Sequence, residues 1–396
     1  MTALYLHVPF CRSKCLYCDF YSAGLRIADW EKYLATILLE LENRHEELPE
    51  VPSTLYIGGG TPSLIPPNFF NSFVSDINSL LGKNKEWLEF TLEVNPEDVN
   101  AENCEIWKVA GVNRLSMGLQ SLNNSELKKI GRRHSSSEAI EALKTAKNYF
   151  PKISADVIFA LPGQSPESYR ETLEKVISTE VGHISSYALM LEPGTPFEVL
   201  VRRNRLSLPS EEEWGIMYDL TCNLLGQAGY ERYEISNFAL PQQHSIHNYS
   251  YWTGKPYLGL GPGAHSYDGG SRRRSNPADL KSYLNFFMVD DSIQNARISS
   301  PIIGNQNKKM KNKYFYIEEI LTDNERREEF ILTRLRTAKG LSLTEFEASF
   351  GSLAVKSLLD LSSKYINTGH LTLKDSNLFF TKEGFAISDL ILSSIL

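Results

Sequence analysis

Apolar positions in the first half of the chain recur with two alternating periods. Residues 4–10 form a short apolar run, and residues 54–57 form a β-prone run that leads into Gly58, Gly59 and Gly60. Between them, Trp30, Tyr33, Leu34, Ile37, Leu38 and Leu41 mark the stripe of an amphipathic helix, and Asp29 stands at its N-cap position. Pro66 and Pro67 open a second amphipathic segment carrying Phe69, Phe70, Phe73 and Ile77. The cycle then repeats. Alternation over 88–94 predicts a strand, followed by a helix near 102–109 and a strand over 114–119. Ser135 with Glu138 reads as a capping box for the next helix. Residues 153–161 are nearly continuously apolar except for Asp156, Ser165-Pro166 starts a helix, and 185–191 reads as a strand. Ser210 and Glu213 form another capping box, ahead of Trp214, Met217, Tyr218, Thr221 and Leu225.

Strands alternating with helices at this spacing predict βαβ units and a parallel sheet. Six units are too few for a complete eight-fold barrel. After residue 230 the pattern changes to loops rich in Tyr, His and Gly, through about residue 277. The polar, basic segment 305–313 reads as a solvated loop. The last part predicts two or three short helices and a hairpin. Glu328, Phe330, Ile331, Leu335, Leu341, Phe346, Phe350 and Leu359 are its expected core, and Asn367-Thr368-Gly369 turns into 371–373.

Composition narrows the class only a little. At 396 residues with 42% hydrophobic and 22% charged content, the chain is an ordinary globular protein with room for one large domain and a smaller one. A formal net charge of -7 argues against a general nucleic-acid binder. The first apolar run is too short for a signal peptide or a membrane span. Five cysteines do not describe a disulfide scaffold in a chain this long, which predicts a cytoplasmic, reducing location.

Three of those cysteines change the picture. Cys11, Cys15 and Cys18 make a C-x3-C-x2-C run directly behind the first apolar segment. Such a loop can hold three irons of a [4Fe–4S] cluster and leave the fourth open to a small molecule. A zinc site, a disulfide and buried packing cysteines are the competing readings of the spacing alone. Cys104 and Cys222 are isolated.

The cysteine run resembles the signature of radical S-adenosylmethionine (SAM) proteins. Tyr5-Leu6-His7-Val8-Pro9-Phe10-Cys11, Gly58-Gly59-Gly60-Thr61-Pro62 and Met117-Gly118-Leu119-Gln120-Ser121 resemble the coproporphyrinogen dehydrogenase-like branch of that superfamily. Oxygen-independent coproporphyrinogen dehydrogenases carry a further Cys two residues after the third, where this chain has Phe20. Phe20 and the motif His247-Asn248-Tyr249-Ser250-Tyr251-Trp252 resemble instead the heme-chaperone family of the branch. The similarity extends over nearly the whole chain.

The resemblance implies an α/β fold: a partial (β/α)6 barrel over 1–230, a connecting segment with the HNxxYW motif over 231–300, and a winged-helix-like α+β domain over 301–396. It places the chemistry at the C-terminal ends of the strands, where the cysteine loop, Glu93, Gln120 and Asp156 fall. It implies a [4Fe–4S] cluster on Cys11, Cys15 and Cys18, with SAM on the open iron. Tyr5, Tyr17, Gly59, Gly60, Thr61, Glu93, Gln120, Arg132, Asp156 and Ala188 match its SAM-contacting positions, Arg132 with a charge suited to the SAM carboxylate. Buried capping carboxylates and a salt-bridged Arg are the structural alternatives. His7 and His134 also match family positions, without an assigned role.

Heme is the third implied cofactor, with His247 as the first candidate ligand and His244 as a substitute. As a bare pattern, an exposed His beside a Tyr/Trp pair is usually structural. Arg272, Arg273 and Arg274, in a glycine-rich loop, are candidates for propionate contacts, with an exposed basic turn as the alternative. The implied function is heme binding and transfer to an apo-hemoprotein, which membrane association of the acceptor would not contradict. Coproporphyrinogen III oxidation, a radical SAM reaction on an unrelated substrate, and a non-catalytic Fe–S scaffold are the alternatives. Coproporphyrinogen dehydrogenase activity is expected to be absent or weak. The residues leave the acceptor, the fate of SAM and the oligomeric state open, homodimerisation being compatible with the family.

Overall fold

A computed structural model describes residues 1–25, 28–82, 86–288 and 315–396. The basic segment 305–313 lies outside the described residues. Six parallel strands form the centre: β1 Ala3–Val8, β2 Thr54–Gly59, β3 Glu89–Val94, β4 Arg114–Gln120, β5 Lys152–Phe159 and β6 His183–Ala188. They are neighbours in chain order, each paired in parallel with the next. Buried Leu4, Leu6, Leu55, Ile57, Phe90, Leu92, Leu115 and Met117 alternate along them and meet the helices on the outside. The expected (β/α)6 arrangement is therefore present.

Local signals placed the helices. Asp29 accepts from the Lys32 backbone N–H at 3.1 Å ahead of helix Trp30–Arg44. Reciprocal capping boxes at Ser135/Glu138 and Ser210/Glu213 start helices Ser136–Lys147 and Glu211–Gln227. Each cap satisfies amide donors that a helix start leaves without intrahelical partners.

The segment expected to be loops up to about 277 is different. It contributes β7 Asn237–Ala239, β8 Tyr257–Leu260, β9 His265–Tyr267 and β10 Arg272–Ser275, and β11 Ile317–Ile320 follows. β8 pairs in parallel with β1, and β9, β10 and β11 extend the sheet antiparallel beyond it. With β7 and the short strand Glu231–Arg232 at the other edge, the sheet has 12 strands among the described residues. The three arginines thus lie on a strand rather than in a loop. Their sheet is braced by a buried pair that periodicity does not reveal. Glu40 and Arg44 are bonded at 2.7 Å, Glu40 accepts from Gly261 N and Tyr283 Oη, and Arg44 donates to Ser266 Oγ.

The C-terminal part has its own core around Ile331, Leu335, Leu341, Phe346, Leu358, Leu378 and Phe380. Phe330 and Phe350 pack on it half-buried, whereas Glu328 does not belong to it. Leu358, not Leu359, points inward. Helix Ser352–Asn367 ends at Gly369, whose φ of 77° turns the chain into the hairpin β12 Leu371–Lys374 and β13 Asn377–Phe380.

Candidate cluster and SAM site

The cysteine loop leaves β1 and is pinned on both sides by backbone bonds. Leu16 N donates to Ile130 O at 3.4 Å, and Phe197 N donates to Leu16 O at 3.1 Å. Leu16 and Tyr17 pack on the small apolar cluster of Leu127, Ile130, Ile158, Leu161 and Phe197. Cys11, Cys15 and Cys18 are all free and half-buried, whereas Cys104 is fully buried in the main core. Among the described residues, no three Cys, His, Asp or Glu side chains converge on a position for one metal ion. A closed zinc site needs such convergence, but a [4Fe–4S] cluster places each thiolate on a separate iron.

Burial holds thiols of the loop in their protonated form. Burial pushes the Cys18 thiol up to about 11 and raises that of Cys11 as well. Thr61 Oγ1 donates to Cys11 Sγ at 3.6 Å, and Arg132 donates to Cys15 Sγ at 3.7 Å. Loading a metal centre there must therefore displace protons from buried thiols.

The C-terminal strand ends gather the other candidates. Gly59 closes β2 with a φ of 111°, and its backbone N–H donates to Glu93 Oε2 at 2.9 Å. Tyr56 Oη donates to the other Glu93 oxygen at 2.7 Å. Burial lifts Glu93 to about 7, against those two hydrogen bonds. Asp156 is likewise lifted to about 6 by burial, and its Oδ1 has no hydrogen-bond partner among the described residues. Gln120 ends β4 with a φ of 68°, at a register shift between β4 and β5. Such a conformation is strained for a residue with a Cβ. Arg132 donates to Asn95 Oδ1 at 2.7 Å and to Gly118 O, while its buried Nε stays unpartnered. Ala188 closes β6. Tyr5 Oη lies 3.0 Å from His7 Nδ1, and His7 Nε2 lies 2.9 Å from the Tyr21 carbonyl. A carbonyl only accepts, so Nε2 carries the proton and the Tyr5 hydroxyl donates to Nδ1. His134 braces the same end through Leu119 O, at 3.2 Å.

These residues fit a ligand with an amino group, a carboxylate and hydroxyls. Orphaned buried atoms on Asp156 and Arg132, and a carboxyl kept from ionising freely, are groups that a polar ligand would satisfy. The glycine run supplies the room. A Cβ on Gly60 would lie 2.8 Å from Phe10 O and 2.9 Å from Val8 O, both rigid backbone of the strand leading to Cys11. Gly60→Ala is expected to destabilise the ligand-free protein by about 1–3 kcal/mol, read as a lower urea midpoint. Gly24→Ala, where a Cβ meets nothing within 4 Å, is the control and should be near neutral.

His247 is not part of this gathering. It lies on helix Ile246–Trp252, whose start is held by Glu89: the backbone N–H groups of Ile246 and His247 donate to that carboxylate at 3.0 and 2.9 Å. Glu89, Arg114 and Thr54 are first residues of their strands, so the motif occupies the end of the barrel opposite the cysteine loop. The imidazole is fully buried rather than exposed, with Nδ1 2.9 Å from Thr54 Oγ1 and Nε2 2.8 Å from Tyr251 Oη. Burial lowers it to about 3. As arranged, neither ring nitrogen is open to a metal. His244 stacks on Tyr233 at 4.3 Å. Arg274 is held by Glu47 at 2.7 Å and Glu318 at 3.0 Å, and Arg273 by Glu329.

A cysteine loop and a glycine run at the C-terminal ends of six parallel βα strands define the class, a radical SAM protein. The Radical SAM superfamily model matches residues 5–176, and the HemN C-terminal domain model matches 321–387. The heme chaperone HemW of Bacillus subtilis is 32% identical over 100% of this chain and 99% of its own. HemW of Lactococcus lactis is 32% identical over 99% of this chain and 96% of its own. The chain belongs to the HemW family. Coproporphyrinogen III oxidase (HemN) from Escherichia coli, a radical SAM enzyme, superposes with a TM-score of 0.78 over 100% of this chain and 89% of its own. At 22% identity it shows the shared fold. SAM and a [4Fe–4S] cluster are the cofactors that the superfamily implies.

Proposed function

We propose that this protein binds heme and passes it to apo-hemoproteins while carrying a SAM-ligated [4Fe–4S] cluster. The observation that carries the reading is full-length identity of 32% to proteins named heme chaperone HemW. Phe20 supports it: it is 63% exposed on the cluster loop, an apolar side chain where decarboxylating relatives are expected to have a thiol. Cys11, Cys15 and Cys18 would hold the cluster. Tyr5, Tyr17, Gly59, Gly60, Thr61, Glu93, Gln120, Arg132, Asp156 and Ala188 would surround SAM. When bound, the pair supplies one-electron cleavage chemistry at a sulfonium, while the barrel orients SAM and excludes water. Arg132 would pair with the SAM carboxylate, and Glu93 would accept an N–H from its amino group. In this reading 1–230 carries the cluster, 231–300 serves heme, and 301–396 meets the acceptor. A reducing cytoplasm suits three free thiols. Among the described residues, no helix is long and apolar enough to cross a membrane.

The test is a hemin titration of the anaerobically reconstituted protein, followed at the Soret band. An apo-hemoprotein is then added. Saturable, near-stoichiometric uptake and appearance of the acceptor's own heme spectrum are expected. Weak, unsaturable binding with no transfer would reject the chaperone reading and turn attention to coproporphyrinogen turnover.

A further inference from the structure

The stretch that ends β3 reaches each neighbouring segment of the cluster site. Glu93 accepts from Gly59 N, and Asn95 accepts from Arg132. The chain then turns through the short helix Pro96–Asp98, and Asp98 goes to the cysteine loop itself. One of its oxygens accepts from the Arg12 guanidinium, and the other accepts from Ser63 Oγ at 2.7 Å. Ser63 follows the glycine run, so Asp98 joins that run to the loop between Cys11 and Cys15.

The two partners differ in exposure. The Asp98 side chain is 3% exposed and that of Arg12 38%, so a guanidinium that could stand in water is drawn to a carboxylate fixed in protein. Asp98 is held in place by its backbone. Its N–H donates to Asn95 O at 3.0 Å, and its carbonyl accepts from Asn103 Nδ2 at 2.7 Å. A buried carboxylate without its cationic partner is costly, and that cost keeps the pair together. Held there, Arg12 lines one cavity with Cys15, Thr61, Asn95 and Arg132. The potential of an Fe–S cluster follows the charge and hydrogen bonding around its sulfurs. Arg12 is next to Cys11 in sequence and shares a cavity with Cys15, so its charge and the buried anion that balances it both act on that potential.

We propose that Asp98 is a positioning residue acting through Arg12: it fixes a charge-balanced guanidinium in the cysteine loop, and this pair sets the reduction potential of the cluster. The inference rests on the [4Fe–4S] cluster proposed above and adds which residues outside its ligands tune it. Electrostatics give each partner a sign. The guanidinium favours the reduced, more negative cluster, and the carboxylate opposes it. A tether with a structural role alone has no such opposition, because weakening it from either side does the same thing.

The experiment is a reductive titration of the anaerobically reconstituted full-length protein, followed by electron paramagnetic resonance. It compares the parent with Asp98→Asn, Arg12→Gln and the double variant. Each single substitution keeps a hydrogen bond across the pair and removes one charge. Asp98→Asn is expected to raise the midpoint potential and Arg12→Gln to lower it, with the double variant returning toward the parent. Shifts of the same sign in the two single variants, or parent-like potentials in both, would overturn the proposal. Should the Asp98→Asn chain not fold, Arg12→Gln decides alone, since an unchanged or raised potential contradicts the assigned sign. Asp98→Ala, which breaks the bond, is expected to speed iron loss to a chelator, and parent-like retention would show that Asp98 does not hold the loop. A parent that assembles no cluster removes the cluster reading and this proposal with it. Shifts of the wrong sign around a cluster that does assemble sink the proposal and leave that reading standing.

Discussion

Replacing Cys11, Cys15 or Cys18 singly with alanine is expected to abolish the brown charge-transfer absorbance that anaerobic reconstitution should give the parent. Cys104→Ala and Cys222→Ala should keep it. The difference follows from placement. The first three thiols are half-buried on one loop, whereas Cys104 is sealed in the core on helix Ala101–Val109. Cys222 sits on helix Glu211–Gln227, where Arg232 donates to its sulfur at 3.8 Å. A cluster held by three protein thiolates has no spare ligand, so each loss is close to all-or-none rather than graded. Cys104→Ala is expected to lower stability by about 1 kcal/mol through lost packing, visible in a urea midpoint and not in iron content. Iron and acid-labile sulfide should fall together in the loop variants. Equal loss from Cys104→Ala would show the ligand set to be wrong, and iron without sulfide would point to a mononuclear metal.

Legibility of this chain in its sequence followed the range of the interaction. The capping boxes at Ser135/Glu138 and Ser210/Glu213 span three residues each, and both start helices where expected. Alternation of strand and helix was enough to predict six parallel strands, because a βαβ crossover leaves few other arrangements. The strand end near 185–191 was displaced: β6 starts at His183, where pairing with Ser154 and Ala239 overrides the polarity of its own residues. Residues 257–275 were not legible as strands. Their runs are short and interrupted by glycine, and the Glu40–Arg44 pair that secures them links positions more than 200 residues apart.

The same contrast governs the site. Glu93 and Gln120 were legible at strand ends because the fold class places strand ends at one rim, whereas Ala188 fell inside the strand expected over 185–191 and was reached only through the family resemblance. His247 was legible as a motif but not in its environment. Its burial depends on Glu89 and Thr54, which come from two other strands. An apolar or aromatic neighbour in sequence says nothing about which hydroxyls will reach an imidazole.

Glu93 should make both stability and SAM binding depend on pH, with opposite signs. In the ligand-free protein, burial lifts its carboxyl from 4.5 to about 7, so between those values the folded chain holds a proton that the unfolded chain has released. Stability from this group is then present below the unfolded value and falls as pH rises toward 7, by up to about 3 kcal/mol. Asp156, lifted from 3.8 to about 6, acts in the same direction. Glu93→Gln should flatten this fall and raise the urea midpoint at pH 8. Ligation reverses the sense. An amino N–H donor placed against Glu93 favours the carboxylate, so SAM binding to the reconstituted protein should expel the Glu93 proton below pH 7, in addition to the proton that the amino group gives up on ligating iron. The Glu93 contribution to affinity should therefore climb up to about tenfold per pH unit toward 7 and level off above it. Glu93→Gln should bind SAM at least about 100-fold more weakly, about 2.7 kcal/mol, and show no such climb. Calorimetry in two buffers of different ionisation enthalpy measures the proton directly. Proton release at pH 6 no larger in the parent than in Glu93→Gln would mean that Glu93 does not meet the amino group, and that another group at the strand ends does.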